Sequence, residues 1–166
     1  MFNMTDPHRH GADGPPGSGR WHIRPAVVED GADVLTIFGD ARDDMGYLPR
    51  LHGKDEDFQF LSDLIRSGHV RIIEDDGVIV GFAAAQNGWL EHLYVAPAHQ
   101  RQGHGKRLLA DAKSVYANGL KLWVFDANAG AIAFYEREGF KLARVRNAVE
   151  ADNEEGLADR LYEWRA

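Results

Sequence analysis

The sequence predicts one α/β domain built on a mixed sheet, antiparallel in its first half, with a parallel strand pair in its second half and helices flanking it. Three observations lead there. Two hairpin turn signals, Asp75-Asp76-Gly77 and Asn87-Gly88, separate three β-rich runs, His69 to Glu74, Val78 to Ala85 and Trp89 to Val95. The chain then alternates helix, strand, helix and strand, the order in which a crossover helix joins two parallel strands. With 166 residues, 44% of them hydrophobic, the chain is long enough for one sizeable core.

Taken in order, Met1 to Arg20 is rich in Gly, Pro, Asp and His. Its few large apolar groups cannot offset the entropy of ordering, so it reads as a disordered, dispensable tail ahead of a domain spanning 21–166. His8 and His10 within it read as solvated histidines, not metal ligands. A short strand, Trp21 to Arg24, precedes a helix that starts near Glu29 or Asp30, where acidic residues suit the helix dipole, and runs to about Arg42. Asp43 to Gly53 mixes Gly, Pro and polar groups and reads as a loop. A helix over Lys54 to Ser67 carries Phe58, Leu61, Leu64 and Ile65 on one stripe and stops at Gly68. After the three-strand meander come a helix from Gly103 to Asn118, a strand from Leu120 to Phe125 and a helix from Ala129 to Glu138, with Gly119 and Gly139 as helix stops. Strands Phe140 to Arg146 and Arg160 to Trp164, separated by a polar segment, complete the chain. Where parallel strands part beside a helix N-terminus, a cleft for an extended ligand is expected.

Composition excludes several classes of function. The chain has no Cys, so disulfides, thiolate zinc sites and a cysteine nucleophile are ruled out. A formal charge of −7 argues against nucleic acid as a partner and is compatible with a cationic one. No stretch approaches a membrane helix and the N-terminus lacks a signal-peptide core, so a cytoplasmic location is expected.

The segment Gln100-Arg101-Gln102-Gly103-His104-Gly105-Lys106 joins a strand to a helix. Unpaired N–H groups and the positive end of the dipole make a helix start an anion site, and two glycines let a phosphate approach the backbone. Arg101, Lys106 and Arg107 add positive charge in an otherwise acidic chain. The segment is neither a Walker A loop nor a dinucleotide G-x-G-x-x-G, because position 108 is Leu. There is no G-x-S-x-G elbow either, which counts against a hydrolase.

These residues resemble the GNAT superfamily, the GCN5-related N-acetyltransferases. Gln100 to Gly105 is similar to that family's Gln/Arg-x-x-Gly-x-Gly/Ala motif. Asn128-Ala129-Gly130-Ala131-Ile132-Ala133-Phe134-Tyr135-Glu136-Arg137-Glu138-Gly139-Phe140 resembles its N-x-x-A-x-x-F-Y-x-x-x-G-F segment, and Leu93-Tyr94-Val95-Ala96-Pro97 is also typical of it. The resemblance covers roughly Trp21 to Trp164. It implies a fold in which the fourth and fifth strands splay apart around the pantetheine arm of acetyl-CoA. The pyrophosphate would rest on the backbone from Gln100 to Lys106, a backbone N–H of Leu93, Tyr94 or Val95 would polarise the thioester carbonyl, and Asn128 and Phe134 would contact the cofactor. No metal is required.

By the same resemblance Tyr135 lies near the leaving sulfur, where it acts as acid or as hydrogen-bond donor, unless it only packs beside Phe134. Glu91 is expected to share a strand face with Trp89, Leu93 and Val95, and is the candidate base or anchor of a proton-relay water. His92, on the opposite face, is the second choice, and an exposed Glu91 without a role is the alternative. Asn128 also suits a helix N-cap. The loop with Tyr47, Leu48, Pro49, Arg50 and His52 falls where relatives keep the acceptor wall, and Asp44, Glu154 and Glu155 are candidates to attract a cation. The reading is an N-acetyltransferase passing acetyl directly to an amine of a small molecule or peptide, with a non-catalytic acyl-CoA sensor of the same fold as the alternative. A homodimer is a common arrangement in the family.

Overall fold

At Asp76-Gly77 and Asn87-Gly88 both residues of each pair take positive φ, 49° and 79°, then 52° and 78°. This is the backbone of two-residue turns whose twist matches that of the strands they join. The computed structural model describes residues 20–166, and in it these turns connect β2 (Val70–Asp75), β3 (Val78–Gln86) and β4 (Trp89–Val95) into the expected antiparallel meander. The expected tail, with His8 and His10, lies outside the described residues apart from Arg20.

Ahead of the meander, β1 (Trp21–Pro25) pairs antiparallel with β2. A single 3-10 turn, Val28–Asp30, leads into α1 (Gly31–Asp43). The α-helix therefore starts a residue or two later than expected. The Asp30 carboxylate accepts the Val27 N–H at 2.8 Å and takes a two-pronged contact from Arg24 at 2.7 and 2.9 Å, which pins the entry turn. Next comes α2 (Lys54–Arg66), whose Glu56 accepts the Gly53 N–H at 2.9 Å. Its Leu61 and Ile65 are buried as the periodicity predicts, whereas Phe58 is 43% exposed and lies against Gly31 at the start of α1.

After β4 come α3 (His104–Val115), β5 (Leu120–Phe125), α4 (Ala129–Arg137), β6 (Lys141–Arg146) and β7 (Asp159–Trp164). Among the described residues the seven strands form one sheet in the order β1-β2-β3-β4-β5-β7-β6. Only β4 and β5 are parallel, with α3 as the crossover; β7 enters between β5 and β6, antiparallel to both. The fold is thus the mixed, mostly antiparallel sheet with flanking helices that the sequence predicts.

Two cores sandwich the sheet. On one face Leu108, Leu109 and Ala112 of α3 and Tyr135 of α4 pack on Ile73, Val80, Leu122 and Tyr162; on the other, Val34 and Ile37 of α1 and Leu61 and Ile65 of α2 pack on Ile72, Phe82 and Ala84. Each fully buried aliphatic side chain contributes roughly 1.5–3 kcal/mol, so both helix layers are held firmly and the strands between them are fixed in place. Among the described residues no helix is long and apolar enough to cross a membrane.

Candidate active site

The parallel strands β4 and β5 pair at one position only, Trp89 with Lys121, helped by the Lys121 N–H donating to the Gly88 carbonyl at 2.9 Å. Beyond that point the strands part, and the edge of β4 facing β5 carries no ladder. Buried backbone amides rarely go without a partner, so an unladdered stretch of strand inside the sheet is ready-made for a ligand's hydrogen bonds. The parting opens a cavity of about 250 Å³, lined from β4 by Glu91, Leu93 and Tyr94 and from the α4 side by Asn128 and Tyr135. Five residues predicted from separate stretches of sequence thus meet at one opening.

In the predicted phosphate loop, Gln100 to Lys106, the irregular part ends at Gly103, whose φ of 86° only glycine adopts without strain, and α3 begins at the next residue, so His104 to Lys106 form its first turn. Arg101 also takes a left-handed φ of 60°. With Gln100, Gln102 and Lys106 it is exposed. The Gln100 side chain turns back to donate to the Val95 carbonyl at 3.1 Å, tying the loop to the end of β4. A Cβ on Gly105 would lie 3.7 Å from Val95 and 3.8 Å from Phe134, which places both predicted cofactor contacts beside the helix start. His104 is different: its side chain is buried, with Nε2 3.3 Å from the Asp75 carboxylate but not aligned for a hydrogen bond, so only its backbone faces outward with the loop. Two of the expected loop cations are engaged elsewhere. Lys106 is 3.8 Å from Glu138, and Arg107 donates to the Gln102 carbonyl at 2.9 Å.

Asn128 caps α4 as expected, its Oδ1 accepting the Ala131 N–H at 3.1 Å. That cap fixes the first turn, and Tyr135 follows two turns later on the inner face, buried between the Phe134 and Phe140 rings at 5.2 and 5.5 Å. Burial pushes the Tyr135 phenol well above its ordinary pKa, since the phenolate has lost its water.

The alternation expected for Glu91 is broken. Ala84 pairs with His92 and Ala85 with Leu90, so Glu91 is the extra residue of a β-bulge. In consequence Leu90 and Leu93, three apart, pack into the same core, which unbroken period-two alternation forbids. Glu91 therefore does not simply share a face with Trp89, Leu93 and Val95. Its carboxylate is exposed at the cavity and accepts from the Gln86 side-chain amide at 2.9 Å. His92 also lines the cavity, but its ring turns toward Phe38, Phe60 and Tyr94, and its Nδ1 is enclosed with no partner among the described residues. Loss of water drives its pKa down to about 4, so the ring is neutral near pH 7.

Part of the cavity wall was not foreseen. Arg42, at the last turn of α1, lines it and is held by Glu155 at 3.0 Å and by the Phe38 ring at 5.3 Å. From the expected acceptor loop Met45 reaches the wall, while Tyr47 leans edge-on against Phe125. Arg50 pairs with Asp43 and His52 with Glu154 at 2.6 Å, a contact that raises the His52 pKa. Glu155 joins the wall; Asp44 is exposed and does not. Asp159 is buried under Arg146 at 2.8 and 2.6 Å and holds Asn153 at 3.1 Å, which organises the β6–β7 loop over the opening. A lone arginine at a helix C-terminus and a distant glutamate carry no sequence signal that they meet.

Residues 66–142 match a family model described as an acetyltransferase (GNAT) domain. No curated protein matches the sequence. Solved structures match in fold. The apo form of YjaB from Escherichia coli has a TM-score of 0.72 at 20% identity, covering 88% of this chain and 99% of that one. YncA of Salmonella typhimurium, described as a putative acetyltransferase with its cofactor acetyl-CoA, has a TM-score of 0.66 at 22% identity, covering 87% and 93%. The PaiA N-acetyltransferase of Thermoplasma acidophilum, in complex with coenzyme A, has a TM-score of 0.64 at 16% identity, covering 88% and 99%.

Proposed function

We infer, from the match of residues 66–142 to an acetyltransferase (GNAT) domain model and from the shared fold, that this chain is a GNAT enzyme that moves an acetyl group directly from acetyl-CoA to an amine of a small molecule or peptide, within one ternary complex. The observation that carries this reading is the single-pair contact of β4 with β5, beyond which Tyr135 and Glu91 line one cavity. In it the loop from Gln100 to Lys106 receives the pyrophosphate on its N–H groups, and the pantetheine arm runs past Val95, Gly105, Phe134 and Asn128 into the parting. There it takes strand-like hydrogen bonds from the free edge of β4, and an N–H of Leu93, Tyr94 or Val95 points at the thioester oxygen. A donor preorganised for a developing oxyanion favours the tetrahedral transition state over the flat thioester.

Within this reading the amine attacks the acetyl carbon, the C–S bond breaks, and the proton lost by the nitrogen leaves through Glu91 or a water held on it. The exposed Glu91 hands that proton to solvent. Tyr135 faces the leaving sulfur. A free phenol already holds its proton more tightly than a thiol by about 1.5 pKa units, and burial widens the gap. The hydroxyl therefore stabilises the thiolate by donating a hydrogen bond rather than by giving up its proton. His92, neutral and walled in by aromatic rings, is the poorer base.

The test is to incubate the protein with acetyl-CoA and a panel of polyamines, aminoglycosides, amino acids and peptides while following free CoA. Acceptor-dependent release supports the transferase. Tight acetyl-CoA binding with no release on any amine would favour the sensor reading instead.

A further inference from the structure

Trp21 of β1 and Asp75 of β2 stand opposite each other in their ladder, and together they receive the first turn of α3. Arg107 lays its guanidinium over the Trp21 ring, 4.7 Å from the ring centre, and reaches on to the Gln102 carbonyl. His104, three residues earlier and so on the same helix face, meets Asp75. The arginine folds back beneath the loop: a Cβ on Gly103 would come within 3.2 Å of its Nη1. A side chain so placed binds the loop's own backbone and an aromatic face, and is turned away from the role of phosphate ligand that its charge suggests.

The loop needs such a tie. Arg101 and Gly103 both hold left-handed backbone, which a non-glycine residue such as Arg101 leaves readily unless its surroundings over-determine it. Convergent N–H groups bind an anion well only when they are already fixed, because ordering them on binding subtracts from affinity.

We propose that Arg107 is a positioning residue, clamped between the Trp21 ring and the Gln102 carbonyl so that the peptides from Arg101 to Lys106 are fixed before the ligand arrives. This rests on the reading of the loop as the pyrophosphate site and adds to it a brace from β1, near the start of the described chain.

The experiment combines calorimetry with CoA and hydrogen exchange of the loop amides in the free protein, for Arg107→Ala, Arg107→Met, Trp21→Leu, Trp21→Phe and the Arg107→Ala/Trp21→Leu pair, with thermal unfolding alongside. Arg107→Ala, Arg107→Met and Trp21→Leu should each weaken CoA binding by roughly tenfold and speed exchange of the 101–106 amides. The pair should do no worse than either single change, since both remove one clamp. Trp21→Phe keeps a ring face and should stay near the parent. Normal CoA affinity in Trp21→Leu beside weakened binding in Arg107→Ala would overturn the proposal and make Arg107 a direct phosphate ligand. If Trp21→Leu unfolds, Arg107→Met decides through loop exchange: unchanged protection overturns the clamp. If the parent itself fails to bind CoA, the reading of the loop falls, while exchange in the free protein still decides whether the clamp exists.

Discussion

Glu91 and His92 are neighbours on β4 yet occupy opposite environments. The bulge leaves the Glu91 carboxylate exposed at the cavity beside Gln86 and turns the His92 ring into an aromatic pocket of Phe38, Phe60 and Tyr94. A base that must shed protons to water gains from the first setting, whereas the second favours a neutral ring.

Glu91→Gln should lower turnover at neutral pH by about 10²-fold, the lower end of what a positioned base contributes. The glutamine keeps a carbonyl for the Gln86 amide, so the bulge survives. Activity should recover as the pH rises and the amine loses its proton to solvent. Initial rates from pH 6.5 to 9.5 provide the check, and superimposable profiles for parent and variant would remove Glu91 from the mechanism.

His92 makes a prediction about stability. Its folded pKa of about 4 lies below the ordinary 6.5, so between those values the unfolded chain binds the extra proton. Stability is therefore intact above pH 6.5 and falls as the pH drops toward 4, by about 2 kcal/mol at pH 5 from this group. His92→Phe, which suits the aromatic surroundings, should flatten that part of the profile. Urea unfolding at pH 7 and pH 5 measures it, and equal losses in parent and variant would contradict the assignment.

Tyr135→Phe retains the ring between Phe134 and Phe140, so acetyl-CoA affinity and fold should persist. What disappears is a hydrogen bond to a developing thiolate, worth about 1.5–3 kcal/mol, which corresponds to roughly a 10- to 150-fold fall in kcat. Steady-state kinetics on any accepted amine, with calorimetry beside them, tests this. Turnover within threefold of the parent would leave Tyr135 a packing residue.

Gly105→Val tests the phosphate loop. The first carbon of a side chain has room there, at 3.7 Å from Val95 and 3.8 Å from Phe134, so the fold should tolerate the change. The branched methyl groups would fill the space assigned to a phosphate oxygen, and calorimetric affinity for acetyl-CoA should drop by at least about tenfold. Undiminished affinity would place the pyrophosphate elsewhere.

Local chemistry was legible in the sequence. The Asp76-Gly77 and Asn87-Gly88 pairs announced their turns, Asn128 announced its helix, and the run Trp89–Val95 had its limits written in its side chains, whereas Gly103, expected as the first helical residue, proved to be a left-handed cap ahead of α3. The turns, the Asn128 cap and the strand limits follow from interactions between residues a few positions apart, which sequence displays directly. The decisive features of the site are of another kind. The bulge at Glu91 depends on how β3 and β4 choose their register, and Tyr135 owes its raised pKa to packing from α4 and the sheet together. Arg42 meets Glu155, and Arg107 meets Trp21, across most of the chain. The entry of β7 between β5 and β6 decides where the β6–β7 loop can hang over the opening. Such contacts are selected by the free energy of the whole packed sheet, in which distant segments compete for the same space, so only the tertiary structure could decide them.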